Sequence, residues 1–488
     1  MSHENIDYRN HPEDELLIEE HPETSEQSGR TIIIKTLISL SIGLGIYLLP
    51  TPANLPVDGH KFLALLLTVV LLWVTEAIPI GVSALCAAAG LILFGIQKPT
   101  DAWAPFASPA VMFVLMIVMF GVVLNEVGLA NRIMYYIFKM AGTGVKKLSF
   151  VLAVGCTMLA TVFHDATVTV IMIFALVPVF MAMGITPQKS NNLSKFFIIL
   201  IPLASSAGGF GTLLGGGRNP LALEILQNFT RDAGHEATIG FLEYIVIQFP
   251  ICILTAVTTW GVLWMIFRPK EKELPAEVRI EKMPSMRGKE LGVTIIFGVT
   301  FLLWTFSDLT GLHYSVPAAL ALAGFCGPKF ISFKTICDKF PWESWIVFGA
   351  GVSLGGAMLT SGAGKYLAEV CLPLLEGQPS FAVFYGIGFF GSFLSSLMSN
   401  SAAVALTLPI TLPMAEMMNL SPKAVAMLSP MTTSFIMLVI GCPPTIIAYS
   451  TGYFSQAEFI KVAVPWCLTL LLVATISVLV YWPLIGFY

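Results

Sequence analysis

Two short polar runs stand inside long apolar sequence: Phe163-His164-Asp165-Ala166-Thr167 and Met398-Ser399-Asn400-Ser401-Ala402. Their hydroxyls, amide, carboxylate and imidazole could hold an ion, and each run is flanked by apolar arms too short to make two ordinary bilayer spans. Backbone bared at membrane depth persists only where protein buries it or a wet cavity receives it, so two matched interruptions point to a binding site midway across a membrane. A second pair of breaks follows. One runs from Ser205-Ser206-Ala207-Gly208-Gly209-Phe210-Gly211-Thr212 through Gly215-Gly216-Gly217-Arg218-Asn219-Pro220, the other from Thr432-Thr433-Ser434 through Gly441-Cys442-Pro443-Pro444-Thr445. Gly and Pro end one half-helix and start another, freeing carbonyls that can hold a cation and amides whose positive dipole end can hold an anion. Ser399, Asn400, Ser401 and Thr445 add small neutral donors and acceptors, and no aromatic stacking platform accompanies them. This set suits a carboxylate better than a sugar or an apolar drug. An isolated Gly more often serves close helix packing in lipid, but the matched pairing of breaks favours a site.

Composition places these residues in a membrane protein. Hydrophobic residues make up 56% of the 488, charged residues 11%, and mean hydropathy is +0.81, against the ~25% charge of soluble domains. A net charge of -4 without basic runs leaves no case for nucleic acid as a partner. Eight scattered cysteines lack the spacing of a zinc or disulfide framework. An intramembrane enzyme would need a nucleophile and base or a metal set, and His164-Asp165 has neither at a recognisable spacing, so the chain does not read as an enzyme.

The elements that must position the two tips follow from hydropathy. Residues 1–30 are polar, acidic and without a buriable face, which predicts a disordered cytoplasmic tail. The first apolar segment, 31–49, comes too late for a signal peptide and serves as a membrane anchor. Apolar windows recur near 61–80, 81–97, 110–130, 194–229, 240–268, 289–309, 315–331, 344–363, 422–456 and 458–486. Segments 147–184 and 380–418 each split at a polar tip and read as re-entrant hairpins, which leaves about eleven true crossings. Lys and Arg gather on the loops that a cytoplasmic N-terminus would place inside, among them Arg132, Lys139, Lys146, Lys147, Lys189, Lys195, Lys329, Lys334 and Lys339. The positive-inside rule therefore puts the N-terminus in the cytoplasm and Tyr488 outside.

The basic, Pro-containing stretch 269–288 divides the chain into halves, 31–268 and 289–488. Setting His164-Asp165-Ala166 on Ser399-Asn400-Ser401 brings Pro178 onto Pro413 without a gap, and each hairpin is followed by its broken helix, 194–229 or 422–456. The halves are thus one unit used twice, in opposite directions, with the hairpin tips meeting near the midplane.

With Trp73-Val74-Thr75-Glu76-Ala77-Ile78-Pro79, the hairpins and broken segments resemble the divalent anion/sodium symporter (DASS) family of di- and tricarboxylate transporters over most of 31–488. The resemblance implies a homodimer, a scaffold domain and an elevator-type transport domain. It also implies tips carrying Ser-Asn-Thr and breaks carrying Thr-Pro-Pro-Asn that bind substrate carboxylates beside sodium. Carried onto this chain, those positions make Asp165, Ala166, Thr167, Arg218, Asn219, Ser399, Asn400, Ser401, Pro444 and Thr445 the substrate-binding candidates. Glu76 is expected to be held by scaffold hydrogen bonds and is not assigned to substrate.

The chain departs from the family pattern in its first half. His164-Asp165-Ala166 stands for Ser-Asn-Thr, and Gly216-Gly217-Arg218-Asn219 for Thr-Pro-Pro-Asn, while the second half keeps Ser399-Asn400-Ser401 and Cys442-Pro443-Pro444-Thr445. A bound sodium and Arg218 would repel each other in a low-dielectric site. Arg218, with His164, is expected to supply the charge that sodium supplies elsewhere, giving a cell-membrane exchanger without cofactor or metal. Because Arg218 cannot be shed, an empty carrier crosses reluctantly and exchange becomes obligatory. Two opposed tips suit succinate, malate, fumarate or 2-oxoglutarate, with citrate or sulfate as further candidates. The alternatives are a salt bridge from Arg218 to Asp165, a sodium symporter using Ser399 and Asn400, and, least in keeping, a channel or an intramembrane enzyme.

Overall fold

The computed structural model describes residues 29–75, 77–232, 237–274, 285–375 and 377–487. Residues 1–28, Glu76 and half of the linker, 275–284, fall outside the described residues, and with them the expectations made for the tail and for Glu76.

The described chain is helical throughout, with one isolated β-bridge between Gly144 and Glu273. Its principal helices are α1 (Gly29–Leu48), α2 (Val57–Thr75), α3 (Ile80–Leu93), α4 (Pro109–Glu126), α5 (Leu129–Ala141), α6 (Val145–Ala160), α7 (Asp165–Ala182), α8 (Asn192–Gly208), α9 (Arg218–Asp232) and α10 (Phe241–Phe267). The second half continues with α11 (Gly288–Thr305), α12 (Ser315–Cys326), α13 (Trp342–Thr360), α14 (Ala363–Leu375), α15 (Ser380–Ser395), α16 (Asn400–Met417), α17 (Pro422–Thr432), α18 (Pro443–Ser450) and α19 (Gln456–Ile476). In order, α2 to α10 correspond one by one to α11 to α19, with α17, α18 and α19 shorter than α8, α9 and α10. The helix α1 has no counterpart and stands outside the repeat.

Among the described residues, seven helices are long and apolar enough to cross a membrane unaided. They include α7, which is one arm of a hairpin. The helices α3, α8, α12 and α15 are apolar but shorter than these seven. Hairpin α6–α7 turns at 161–164 and hairpin α15–α16 at 396–399, and both arms of each pack on the broken segment that follows, α8 or α17. Counting each broken pair once and each hairpin as a return to its own side, every repeat makes an odd number of passes. That inverts the second repeat relative to the first.

Two helices were not legible as such in the apolar windows. The stretch 129–141, expected as part of a basic inner loop, forms α5, and 363–375 forms α14, bent 72° from α13. Both are amphipathic elements that lead into a hairpin. The linker start is fastened beneath the first hairpin: Val145 N donates to Lys272 O at 2.9 Å, and Leu274 N to Thr143 O at 2.9 Å.

Packing across the repeats follows the pseudo-symmetry. α7 packs on α18, and its counterpart α16 packs on α9. Each hairpin is thereby interlocked with the distal half of the other repeat's broken helix. A largely apolar interior surrounds these elements, with α8 buried from Leu193 to Gly208 and α17 from Ala424 to Thr432.

Candidate functional site

The broken segments cross at Ser206 and Ser434, where the Ser206 hydroxyl donates to Ser434 O at 3.0 Å and Cys442 Sγ lies 4.0 Å from Ser206 Oγ. Both serines occupy the same place in their repeats, so this contact lies on the pseudo-twofold axis. Around it start four helices, α7, α9, α16 and α18, with two hairpin tips and two glycine- or proline-rich loops between them.

Arg218 opens α9 and is 5% exposed. Its Nη2 donates to Ser206 O at 3.4 Å. The Asn400 amide satisfies its surroundings in one orientation: its nitrogen donates to Thr433 O (3.2 Å) and Ser395 Oγ (2.7 Å), and its oxygen accepts from Arg218 Nη1 at 3.0 Å. Ser395 Oγ passes its own proton to Thr433 O at 2.5 Å. The guanidinium is therefore seated among oxygens contributed by both repeats, although its Nε is without a partner. Room for it comes from glycine. A methyl at Gly209 would lie 2.2 Å from Nη2, and one at Gly217 would lie 1.9 Å from the Phe348 ring.

The remaining candidates fall into two groups. Asn219 is fully buried and donates to Gly209 O (2.8 Å) and Thr212 O (2.6 Å), closing the glycine loop on itself. Thr445 is fully buried and donates to Val439 O (2.5 Å) and Cys442 O (2.8 Å), bracing the turn into α18 behind the buried Pro444. The Thr445 hydroxyl and the Asn219 nitrogen thus serve their own backbone, while Asn219 Oδ1 is buried without a partner. Ser399 caps α16, its Oγ accepting from Ala402 N at 3.3 Å, and Ser401 is half-buried beside it.

At the first tip, His164 caps α7 and its Nδ1 accepts from Ala166 N at 3.3 Å. Asp165 is buried, accepts from Ala166 N at 2.9 Å and meets His164 Nδ1 at 3.2 Å. The salt bridge that the sequence allowed between Arg218 and Asp165 is not formed; the side chain beside Asp165 is that of His164. The His164 side chain is 52% exposed.

That exposure is into a cavity of about 390 Å³ lined by His164, Thr167, the glycine loop 215–217 and Pro443. Arg218 does not line it. Its charge lies directly behind the cavity wall, where a methyl on Gly216 would sit 3.1 Å from Nη1. At an effective dielectric of ~20, a unit charge at 4 Å attracts its opposite by about 4 kcal/mol, and the pull declines slowly with distance. A carboxylate in the cavity would feel that field together with the amino-terminal end of α9. The mouth carries Glu126 and Lys339, paired at 2.7 Å. This pair and Phe348 were not singled out from sequence, because lone charges in loops and a Phe in an apolar helix carry no local signal.

No group of three or more metal-ligating side chains occurs among the described residues. A fixed cation, helix ends and small polar side chains are suited chemically to binding an anion.

Residues 30–488 match the family described as "Sodium:sulfate symporter transmembrane region". An uncharacterized transporter of Haemophilus influenzae is 27% identical over 442 residues, covering 87% of this chain and 91% of that protein. The sodium-dependent dicarboxylate transporter SdcS of Staphylococcus saprophyticus is 24% identical over 501 residues, covering 95% of each. In fold, the chain is similar to the crystal structure of the Alcanivorax borkumensis YdaH transporter, with a TM-score of 0.58 at 16% identity, covering 94% of this chain and 98% of that one.

Proposed function

Since the chain belongs to the sodium:sulfate symporter family, the divalent anion/sodium symporters that its motifs resemble, and hence to a family of transporters rather than enzymes, we propose that it exchanges C4 and C5 dicarboxylates such as succinate, malate, fumarate and 2-oxoglutarate without sodium. The observation that carries this reading is the seating of Arg218 between Asn400 Oδ1 and Ser206 O. Oxygens from both repeats converge there as they would on a cation, and a permanent guanidinium occupies the place. The dicarboxylate part rests on the relatives named for such substrates and on a cavity reached by charge and helix ends on more than one side.

Exchange follows from the same residue. A cation that cannot dissociate makes passage of the empty carrier costly in the low-dielectric core, and a bound dianion offsets that cost. The interlocking of α7 with α18 and of α16 with α9 makes the site one block, which supports movement as a unit in elevator fashion rather than by local gating. In this reading the protein is a homodimer of the cell membrane, with its N-terminus cytoplasmic and its C-terminus outside, as the Lys and Arg distribution requires.

Sodium-coupled symport is the second reading, favoured by the relatives named sodium-dependent dicarboxylate transporters. It would place sodium at Ser399 and Asn400. Against it, the Asn400 oxygen already accepts from Arg218, and its nitrogen is spent on Thr433 O and Ser395 Oγ.

The deciding experiment is uptake of labelled succinate by proteoliposomes, preloaded with unlabelled dicarboxylate or left empty, with sodium replaced by choline. Uptake that needs internal dicarboxylate and not sodium is expected. Uptake into empty vesicles driven by a sodium gradient would replace exchange with symport.

A further inference from the structure

Between α5, α6 and α11 opens a groove of about 550 Å³, lined by Ile133, Ile137, Phe150, Val154, Met158 and Phe297 among other apolar residues, with no polar side chain. Its volume lies within the ~300–1,000 Å³ typical of small-molecule sites. On α6 the lining positions 150, 151, 154, 155, 158 and 159 form a single helical stripe, which Val162 extends into the turn. One turn before Phe150 and Val151 the stripe continues to Lys147, which is exposed, as are the neighbouring Lys146 and Lys139 in the last turn of α5. An apolar slot with a basic head thus runs inward from the cytoplasmic side.

The far wall is fixed. Arg132 Nη2 donates to Glu290 Oε2 at 2.7 Å, clamping α5 to the first turn of α11, two turns before Phe297. The inner end of the groove is shared: Val162 and Phe163 line it and also line the cavity that holds His164.

We propose that this groove binds an anionic phospholipid, one acyl chain in the slot and the phosphate on Lys147 and Lys146. Hydrocarbon depth makes a lipid tail the natural occupant of a slot without polar groups, and the lysines at its cytoplasmic end select a negative headgroup. Through Val162 and Phe163 the occupied slot supports the back of the first hairpin tip. Lipid binding would therefore hold the wall of the anion cavity in place and set the rate of transport.

The test compares protein reconstituted in phosphatidylcholine with protein in equal parts phosphatidylcholine and phosphatidylglycerol. Native mass spectrometry counts retained phosphatidylglycerol, a readout independent of any transport reaction. Wild type is expected to retain it and to transport several-fold faster in the mixed vesicles. Val154→Trp, which fills the slot, and the double variant Lys146→Gln, Lys147→Gln are each expected to lose the retained lipid and the rate difference. Should Val154→Trp fail to fold, Val151→Phe and the lysine pair carry the test. Unchanged retention in folded slot-filled protein, or equal retention of phosphatidylcholine, overturns the proposal. So does a change of oligomeric state on filling the slot, which would make it a contact between copies.

Discussion

Arg218 Nη1 donates to Asn400 Oδ1 at 3.0 Å, joining the first residue of α9 in one repeat to the first residue of α16 in the other. The operation that carries α9 onto α18 and α16 onto α7 carries this pair onto Pro444 and Asp165, where proline offers no donor. The two sides of the site therefore differ in kind. One holds a guanidinium in a nest of oxygens, the other a carboxylate beside an imidazole.

Arg218→Gln removes the fixed charge and is expected to abolish dicarboxylate counterflow. Leaving Ser206 O and Asn400 Oδ1 without their donor costs about 1–3 kcal/mol, a loss the protein should survive as a folded species. Arg218→Lys keeps the charge but not the fork that reaches two oxygens, so partial activity is expected. Full counterflow in the glutamine variant, measured in proteoliposomes, would sink the assignment.

Asn400→Asp separates charge from architecture. A carboxylate there would pair with Arg218 but would face Thr433 O, to which the amide nitrogen now donates, so a modest loss of thermal stability is expected while the net charge behind the cavity wall vanishes. Succinate exchange is expected to fall at least as far as in Arg218→Gln. A variant that is stable and active would show that Arg218 acts as a fastener alone.

The architecture around this site was legible in the sequence, because a polar tip between short apolar arms has few physical outcomes inside a bilayer; of the substrate-binding candidates, Thr167 lines the cavity. The hairpins, expected at 147–184 and 380–418, run over 145–182 and 380–417. What was not legible depends on distant contacts. Arg218 could have paired with Asp165 on the same repeat, and only the crossing of the repeats shows that its neighbour is Asn400. The Thr445 hydroxyl and the Asn219 nitrogen suit a ligand, yet the loops they sit in consume them, while the Asn219 oxygen stays buried without a partner. The helix α5 escaped detection because windows of uniform hydropathy miss an amphipathic element. Its 3.6-residue stripe, Leu129, Ile133, Ile137 and Met140, was the available signal.

The glycine loop yields a graded prediction. A methyl on Gly209 would lie 2.2 Å from Arg218 Nη2, whereas one on Gly216 meets Nη1 at 3.1 Å, a contact that a small shift relieves. Gly209→Ala should therefore lose transport nearly as completely as Arg218→Gln, and Gly216→Ala should retain a measurable fraction. Equal activities in counterflow would mean that the guanidinium is not held where the loop confines it.

Thr445→Val tests whether the turn before α18 positions the site. The substitution deletes the hydroxyl that donates to Val439 O and Cys442 O, at a cost of about 1–2 kcal/mol for buried acceptors left unpaired. Thr445→Ser restores both bonds. Exchange is expected to drop severalfold in the valine variant and to recover in the serine variant, with melting temperatures following the same order.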